Sequence, residues 1–142
     1  MSYTLQAIFG HEDEMRDAAP EDLSTVTLVD KFALWLIDSD YQDSHSVPFL
    51  PLTDGGQTVV PVPIVDLAGR LTECAYIEAE YFGGEGGQAA AFYRVGVQQG
   101  EINFSGSAIN EVLRSLGVVA KAPYDEFDSI GLGRERNTNN WQ

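Results

Sequence analysis

Glu78 and Glu80 stand two residues apart in a stretch that alternates like a β-strand. Their carboxylates would share one face about 7 Å apart, a spacing that suits a carboxylate pair or a hard-metal site. Arg94, on the strand expected to pair with theirs, would be their neighbour. No histidine is near in sequence, and a solvated acidic face beside Arg94 is the simpler expectation. Asp38, Asp40 and Asp43 begin like a calcium loop, but an EF-hand needs glycine at its sixth position and glutamate at its twelfth, where this chain has Asp43 and Phe49. His11 lies beside Glu12, Asp13 and Glu14, and His45 is the only other histidine. One imidazole with carboxylates in a polar loop has little preorganised affinity for a metal. Cys74 has no histidine partner that spacing identifies, and no Gly-x-Ser-x-Gly elbow occurs, so it reads as a small core residue.

The segment from Gly83 through Gly87 to Gln88 could form an anion nest from successive backbone N–H groups. The dinucleotide fingerprint does not fit it, because the glycine spacing is wrong and Glu85 would place a carboxylate where a phosphate should sit. A hairpin tip that needs positive φ angles is the better reading. Arg134 and Arg136, interleaved with Gly131 and Gly133, could clamp an anion; in so acidic a chain they are expected to fold back as internal ion pairs. No catalytic set, metal site or cofactor motif emerges, and the chain is not expected to be an enzyme.

Charge says more than the motifs do. The 142 residues carry 22 acidic side chains against 8 Lys and Arg, a formal net charge of −14. Such a surface repels nucleic acid and anionic membranes and attracts cationic macromolecules. Residues 1–73 hold thirteen acids against three bases, and the remainder nine against five, so the acidic face belongs mainly to the first half. A hydrophobic fraction of 44% is too high for a chain kept disordered by its charge. One cysteine excludes an intrachain disulfide, and no apolar run is long enough to cross a bilayer, so a cytoplasmic protein is expected.

The elements that must position these residues read as a single α+β domain over 1–142, mainly an antiparallel sheet with a long central hairpin and two short helices packed on one face. Residues 3–9 alternate as a strand, 11–24 read as a polar loop with room for one helical turn that Pro20 could start, and 26–37 read as one or two strands, with a helix over 28–37 as the competing reading. Prolines at 48, 51, 61 and 63 confine 47–63 to extended connections. Ile64, Leu67, Ala68 and Leu71 make a helical stripe, and so do Ile109, Val112, Leu113 and Leu116 between Ser107 and Gly117. Residues 75–82 and 89–97 form the hairpin, in a register setting Ile77 opposite Val95, Ala79 opposite Tyr93 and Glu78 opposite Arg94. A short strand is expected at 101–104. Residues 123–142 form a possibly extended tail whose Trp141 is expected to dock back on the body.

Two stretches carry a resemblance, Tyr81-Phe82-Gly83-Gly84-Glu85-Gly86-Gly87-Gln88-Ala89, and Asp125-Glu126-Phe127-Asp128 followed by Gly131-Leu132-Gly133-Arg134. They are similar to patterns in bacterial proteins of this size. With its charge and single-domain length, the chain resembles the small acidic immunity proteins that bacteria encode beside polymorphic or contact-dependent toxins. That likeness implies a stoichiometric binder of a basic toxin, with no residue roles to carry over. The expected contacts are aromatic anchors in an acidic rim: Tyr41 with Asp38, Asp40 and Asp43, and Tyr76 with Glu78 and Glu80. Two other functions compete: a small-ligand- or metal-binding domain using Glu78, Glu80 and Arg94, and a homo-oligomeric component pairing through a hairpin edge.

Overall fold

The computed structural model describes residues 2–82 and 85–141. β1 (Ser2–His11) carries Leu5, Ala7 and Phe9 on one face and Thr4, Gln6 and Ile8 on the other, all buried. A strand covered on both faces needs partners on both sides, and β1 has them in β3 (Phe32–Leu36) and β4 (Glu73–Phe82). β2 (Thr25–Thr27) extends the sheet beyond β3, while β5 (Glu85–Arg94) and β6 (Val97–Gln98) extend it beyond β4. Among the described residues the order is β2-β3-β1-β4-β5-β6, and every neighbouring pair is antiparallel. The single α+β domain built on an antiparallel sheet is the architecture the sequence leads one to expect.

The helices depart from expectation in number and placement. Five α-helices are present among the described residues, and they cover both faces of the sheet. Leu5, Phe9, Leu34 and Ile77 pack against α4 (Ala108–Ser115) and α5 (Glu126–Ile130) through Ile109, Val112, Leu113 and Ile130. Ile8, Trp35, Tyr76 and Tyr93 pack on the opposite face against α1 (Glu12–Ala18), α2 (Ser39–His45) and α3 (Val62–Ala68) through Met15, Tyr41, Ile64 and Leu67. α1 occupies part of the segment expected to be loop. Its three acids in the first turn, beside the positive end of the helix dipole, offset a weak apolar pattern whose one buried residue is Met15. α4 matches its expected span closely, and Gly117 takes φ +99° just beyond it. The short strand expected at 101–104 reduces to one bridge between Asn103 and Ala90.

The central hairpin forms in a different register from the one expected. Ile77 pairs with Ala90, Cys74 with Tyr93 and Glu73 with Arg94. The glycine run enters the ladder instead of bulging out of it: Phe82 pairs with Glu85, so the connection is residues 83–84, which lie outside the described residues. Gly86 explains why the strand tolerates so much glycine. At φ +149° it opposes Tyr81 so closely that a Cβ would stand 1.8 Å from the Glu80 carbonyl oxygen, which only glycine permits.

Residues 123–141 are not an extended tail. After α5 the chain runs back beside β1, in the lane that β3 leaves where it ends. The Thr4 N–H donates to the Arg136 carbonyl at 2.8 Å, and the Gln6 N–H donates to Thr138 Oγ1 at 3.1 Å. Trp141 docks as expected, only 7% exposed. Arg134 lies over its ring at 4.9 Å from the centroid, and among the described residues it makes no ion pair of the kind expected of it.

Candidate protein-binding face

The expected acidic patch on β4 divides between the interior and the surface. Tyr76 and Glu78 are fully buried, which corrects their placement as exposed partner contacts. Their face of β4 looks polar in sequence, yet α2, α3 and the loop between them cover it. Glu78 Oε1 accepts the N–H groups of Leu52 at 3.1 Å and Thr53 at 2.9 Å and the Thr53 hydroxyl at 3.1 Å; Oε2 accepts the Tyr76 hydroxyl at 2.5 Å. No Lys, Arg or His pairs with it among the described residues. Burial pushes the Glu78 carboxyl above the usual carboxylate range, and these four donors pull against that shift. Burial, reinforced by the Glu78 charge, holds the Tyr76 hydroxyl well above its ordinary value.

Gln6, fully buried beside them, extends the same polar layer. Its Oε1 accepts from the Leu50 N–H at 3.0 Å and from Gln42 Nε2 at 3.1 Å, and its Nε2 donates to the Pro48 carbonyl at 3.1 Å. These side chains satisfy the backbone of a proline-interrupted loop that has no sheet or helix of its own to pair with. Glu80 shares Glu78's face but is half-exposed. Burial, then the charges of Asp54 and Glu78, raises its carboxyl above the ordinary value. Arg94 belongs elsewhere: it stands on the opposite face of the sheet, at the far end of β4, and pairs with Glu73 at 3.5 Å. Glu78, Glu80 and Arg94 therefore do not converge on one pocket. Among the described residues no group of three or more His, Cys, Asp and Glu is gathered to hold a metal ion.

The residues of α2 stay near the surface. Asp38 caps the helix by accepting the Tyr41 N–H at 3.0 Å, which occupies part of its carboxylate with structure. Asp40 and Asp43 are exposed. Tyr41 does not protrude as an anchor: it is buried, its ring stacked on the His45 imidazole at 4.1 Å between centroids. His45 Nε2 in turn bonds Asp22, and that hydrogen bond holds the Asp22 carboxyl below the usual range.

Most acids of the first half come together on one layer; Asp30, paired with Lys121 at 3.0 Å, and Glu73, paired with Arg94, lie elsewhere. Glu14 accepts the Thr72 N–H, and Arg70 donates to the Ala18 carbonyl at 3.1 Å. With the contact between Asp22 and His45, these bonds stitch α1, its following loop, α2 and α3 side by side over one face of the sheet. Asp13, Asp17, Glu21, Asp22, Asp40, Asp43 and Asp66 are exposed on it. The cations interspersed there are engaged: Arg16 with Glu12 at 3.0 Å, and Arg70 with the Ala18 carbonyl. Hydrogen bonds from Thr27 and Arg16 hold the Glu12 carboxyl below its ordinary value. An open groove of about 310 Å³ crosses the layer, lined by Pro20, Asp22, Tyr41, His45, Asp66 and Arg70 among others.

Sequence reading groups Asp40 and Asp43 with Asp38 and Tyr41, and does not anticipate that Asp22, His45 and Asp66 stand beside them or that Gln6 is buried. The alternation of Thr4 and Gln6 in a central strand was the available signal for a covered polar layer, since an innermost strand seldom turns a face to water. No match to the chain is found among protein families, curated proteins or solved structures, and the chemistry of this face rests on its own geometry.

Proposed function

We propose that the protein is an acidic protein-binding module of the immunity type, which neutralises a basic toxin by stoichiometric binding through the α1–α3 layer. The observation that carries this reading is the excess of exposed carboxylates over cations on one side of the sheet: Asp13, Asp17, Glu21, Asp22, Asp40, Asp43 and Asp66 stand there with Arg16 and Arg70, whereas the exposed acids beyond the other face share it with Arg94, Arg114 and Lys121. A field of one sign accelerates the approach of a basic protein and selects against acidic ones. The groove between Tyr41 and Arg70 offers the centre of the layer a recess for a cationic side chain, with Asp22 and Asp66 at its walls. Binding, not turnover, is the activity proposed. No helix of the described residues is long and apolar enough to cross a membrane.

Capture from the native cell at low and then at high salt tests the proposal. A basic protein held at low salt and released as screening shortens the reach of exposed charge is the expected result. Recovery of only neutral or acidic proteins, with no effect of salt, would sink it.

Self-association through the β6 edge is the second reading, favoured by one specific observation. Val95 is 78% exposed and Val97 61%, and the edge from 95 to 100 carries no charge to discourage a second strand. Light scattering that returns a monomer at high concentration dismisses it.

A further inference from the structure

The opposite side of the sheet holds a second concavity, of about 390 Å³, within the range of small-ligand sites. Three aromatic rings from three elements wall it: Tyr3 of β1, its cross-strand partner Tyr81 of β4, and Phe127 of α5. Phe127 meets Tyr3 edge-on, with centroids 5.4 Å apart. The rings are fixed by bonds made behind them. The Tyr3 hydroxyl donates to the Leu132 carbonyl at 2.7 Å, and Gln88 Nε2 donates to the Tyr81 hydroxyl at 2.8 Å. Gln88 Oε1 accepts the Ile109 N–H at 2.7 Å, which ties the strand to α4. Asn110 Oδ1 accepts the Phe127 N–H at 2.9 Å, and its Nδ2 donates to Asp125 at 3.1 Å, which ties α4 to α5.

The chemistry left over is one-sided. Asp125 is the single ionised group among the lining residues, and no Lys, Arg or His joins it. One N–H of each of the Gln88 and Asn110 amides is committed to Tyr81 and Asp125, and an entering anion would face the Asp125 carboxylate with no cation in the lining to offset it. A cation would meet three aromatic rings beside that carboxylate, the residue types by which proteins recognise alkylammonium and guanidinium groups. We propose that this cleft binds an organic cation, its charge among Tyr3, Tyr81 and Phe127 with Asp125 at the rim. The site is separate from the α1–α3 layer and does not depend on the function assigned there.

The test is a titration of the protein with choline and with its neutral isostere 3,3-dimethylbutanol, read by chemical shifts of Tyr3, Tyr81 and Phe127. A parallel titration uses end-blocked lysine and arginine tripeptides against a norleucine control. Choline or the basic tripeptides should bind at least about tenfold more tightly than their neutral counterparts. Whichever cation binds tighter tells whether the natural ligand is a free amine or a protein side chain. Asp125→Asn removes the charge while keeping one side-chain oxygen to cap α5 at the Asp128 N–H; it should weaken the cation about tenfold, with only a small fall in melting temperature from the lost bond to Asn110. Asp54→Asn, an exposed carboxylate beside Glu80 on the opposite face of the sheet, should leave binding unchanged. Equal binding of cation and isostere, no response of the three rings at millimolar cation, or full binding by Asp125→Asn would each overturn the proposal.

Discussion

Replacing Glu78 should separate two consequences of burying a carboxylate without a cation. In Glu78→Ala the N–H of Leu52 and the hydroxyl of Tyr76, both in buried residues, lose their acceptor, whereas the half-exposed Thr53 can turn to water. An orphaned buried donor costs about 1–3 kcal/mol, so the variant should lose about 2–6 kcal/mol, a large part of the stability of a domain this size. Glu78→Gln keeps an oxygen for Leu52 and Thr53 and lets the Tyr76 hydroxyl rotate to accept, so it should stay within about 1 kcal/mol of the parent at acidic pH. Their pH dependence should then diverge. Because the folded carboxyl titrates above its unfolded counterpart, the native state holds the extra proton between the two values. The stability it brings is present below the ordinary carboxylate range and is lost as pH rises through the raised folded value. Each unit separating the two values is worth about 1.4 kcal/mol, so Glu78→Gln should gain on the parent as pH rises and then level off. Urea unfolding of the three proteins across the mildly acidic to neutral range measures this. A Glu78→Ala loss below about 1 kcal/mol, or a Glu78→Gln difference that does not vary with pH, would refute the reasoning.

The remaining expectations follow from packing. Gly86→Ala should destabilise the protein by at least about 2 kcal/mol in denaturant unfolding, because the new Cβ collides with backbone that has no room to yield. Trp141→Ala should cost about 3–5 kcal/mol by the same assay, and Trp141→Phe markedly less, since the indole N–H has no hydrogen-bond partner among the described residues to lose. Burial pushes the Cys74 thiol up to about 12, so a thiol reagent should label it only in denaturant; labelling of the native protein at a free-thiol rate would contradict its place in the core.

Strands and the longest helix were legible because their patterns are local. Ile109, Val112, Leu113 and Leu116 repeat with the helical period, and α4 forms over nearly the residues they mark. The hairpin register was not, because the glycine run admits two readings that differ by five residues. The backbone clash at Gly86, which decides between them, exists only once the strands are paired. The same shift moves Arg94 away from Glu78 and onto Glu73. Polar residues on β4 suggested a wet face because composition cannot show that a proline-rich loop lies over it, its N–H groups needing the Glu78 carboxylate. The acidic layer was legible only in part: Asp40 and Asp43 are exposed, whereas grouping them with Asp22, Asp17 and Asp66 depends on long-range contacts such as that between Arg70 and Ala18.

The measurement that tests the central claim most directly is the association rate of the captured basic protein with two charge variants of equal size. Asp13, Asp17, Asp40 and Asp43, all exposed on the α1–α3 layer, are changed to Asn in one; Glu101, Glu111, Asp125 and Asp128, beyond the other face of the sheet, are changed to Gln or Asn in the second. The layer variant should associate about tenfold or more slowly at low salt, with the difference shrinking as salt rises, while the second variant stays close to the parent. Equal slowing by both variants, or none by the first, would contradict a docking role for the acidic layer.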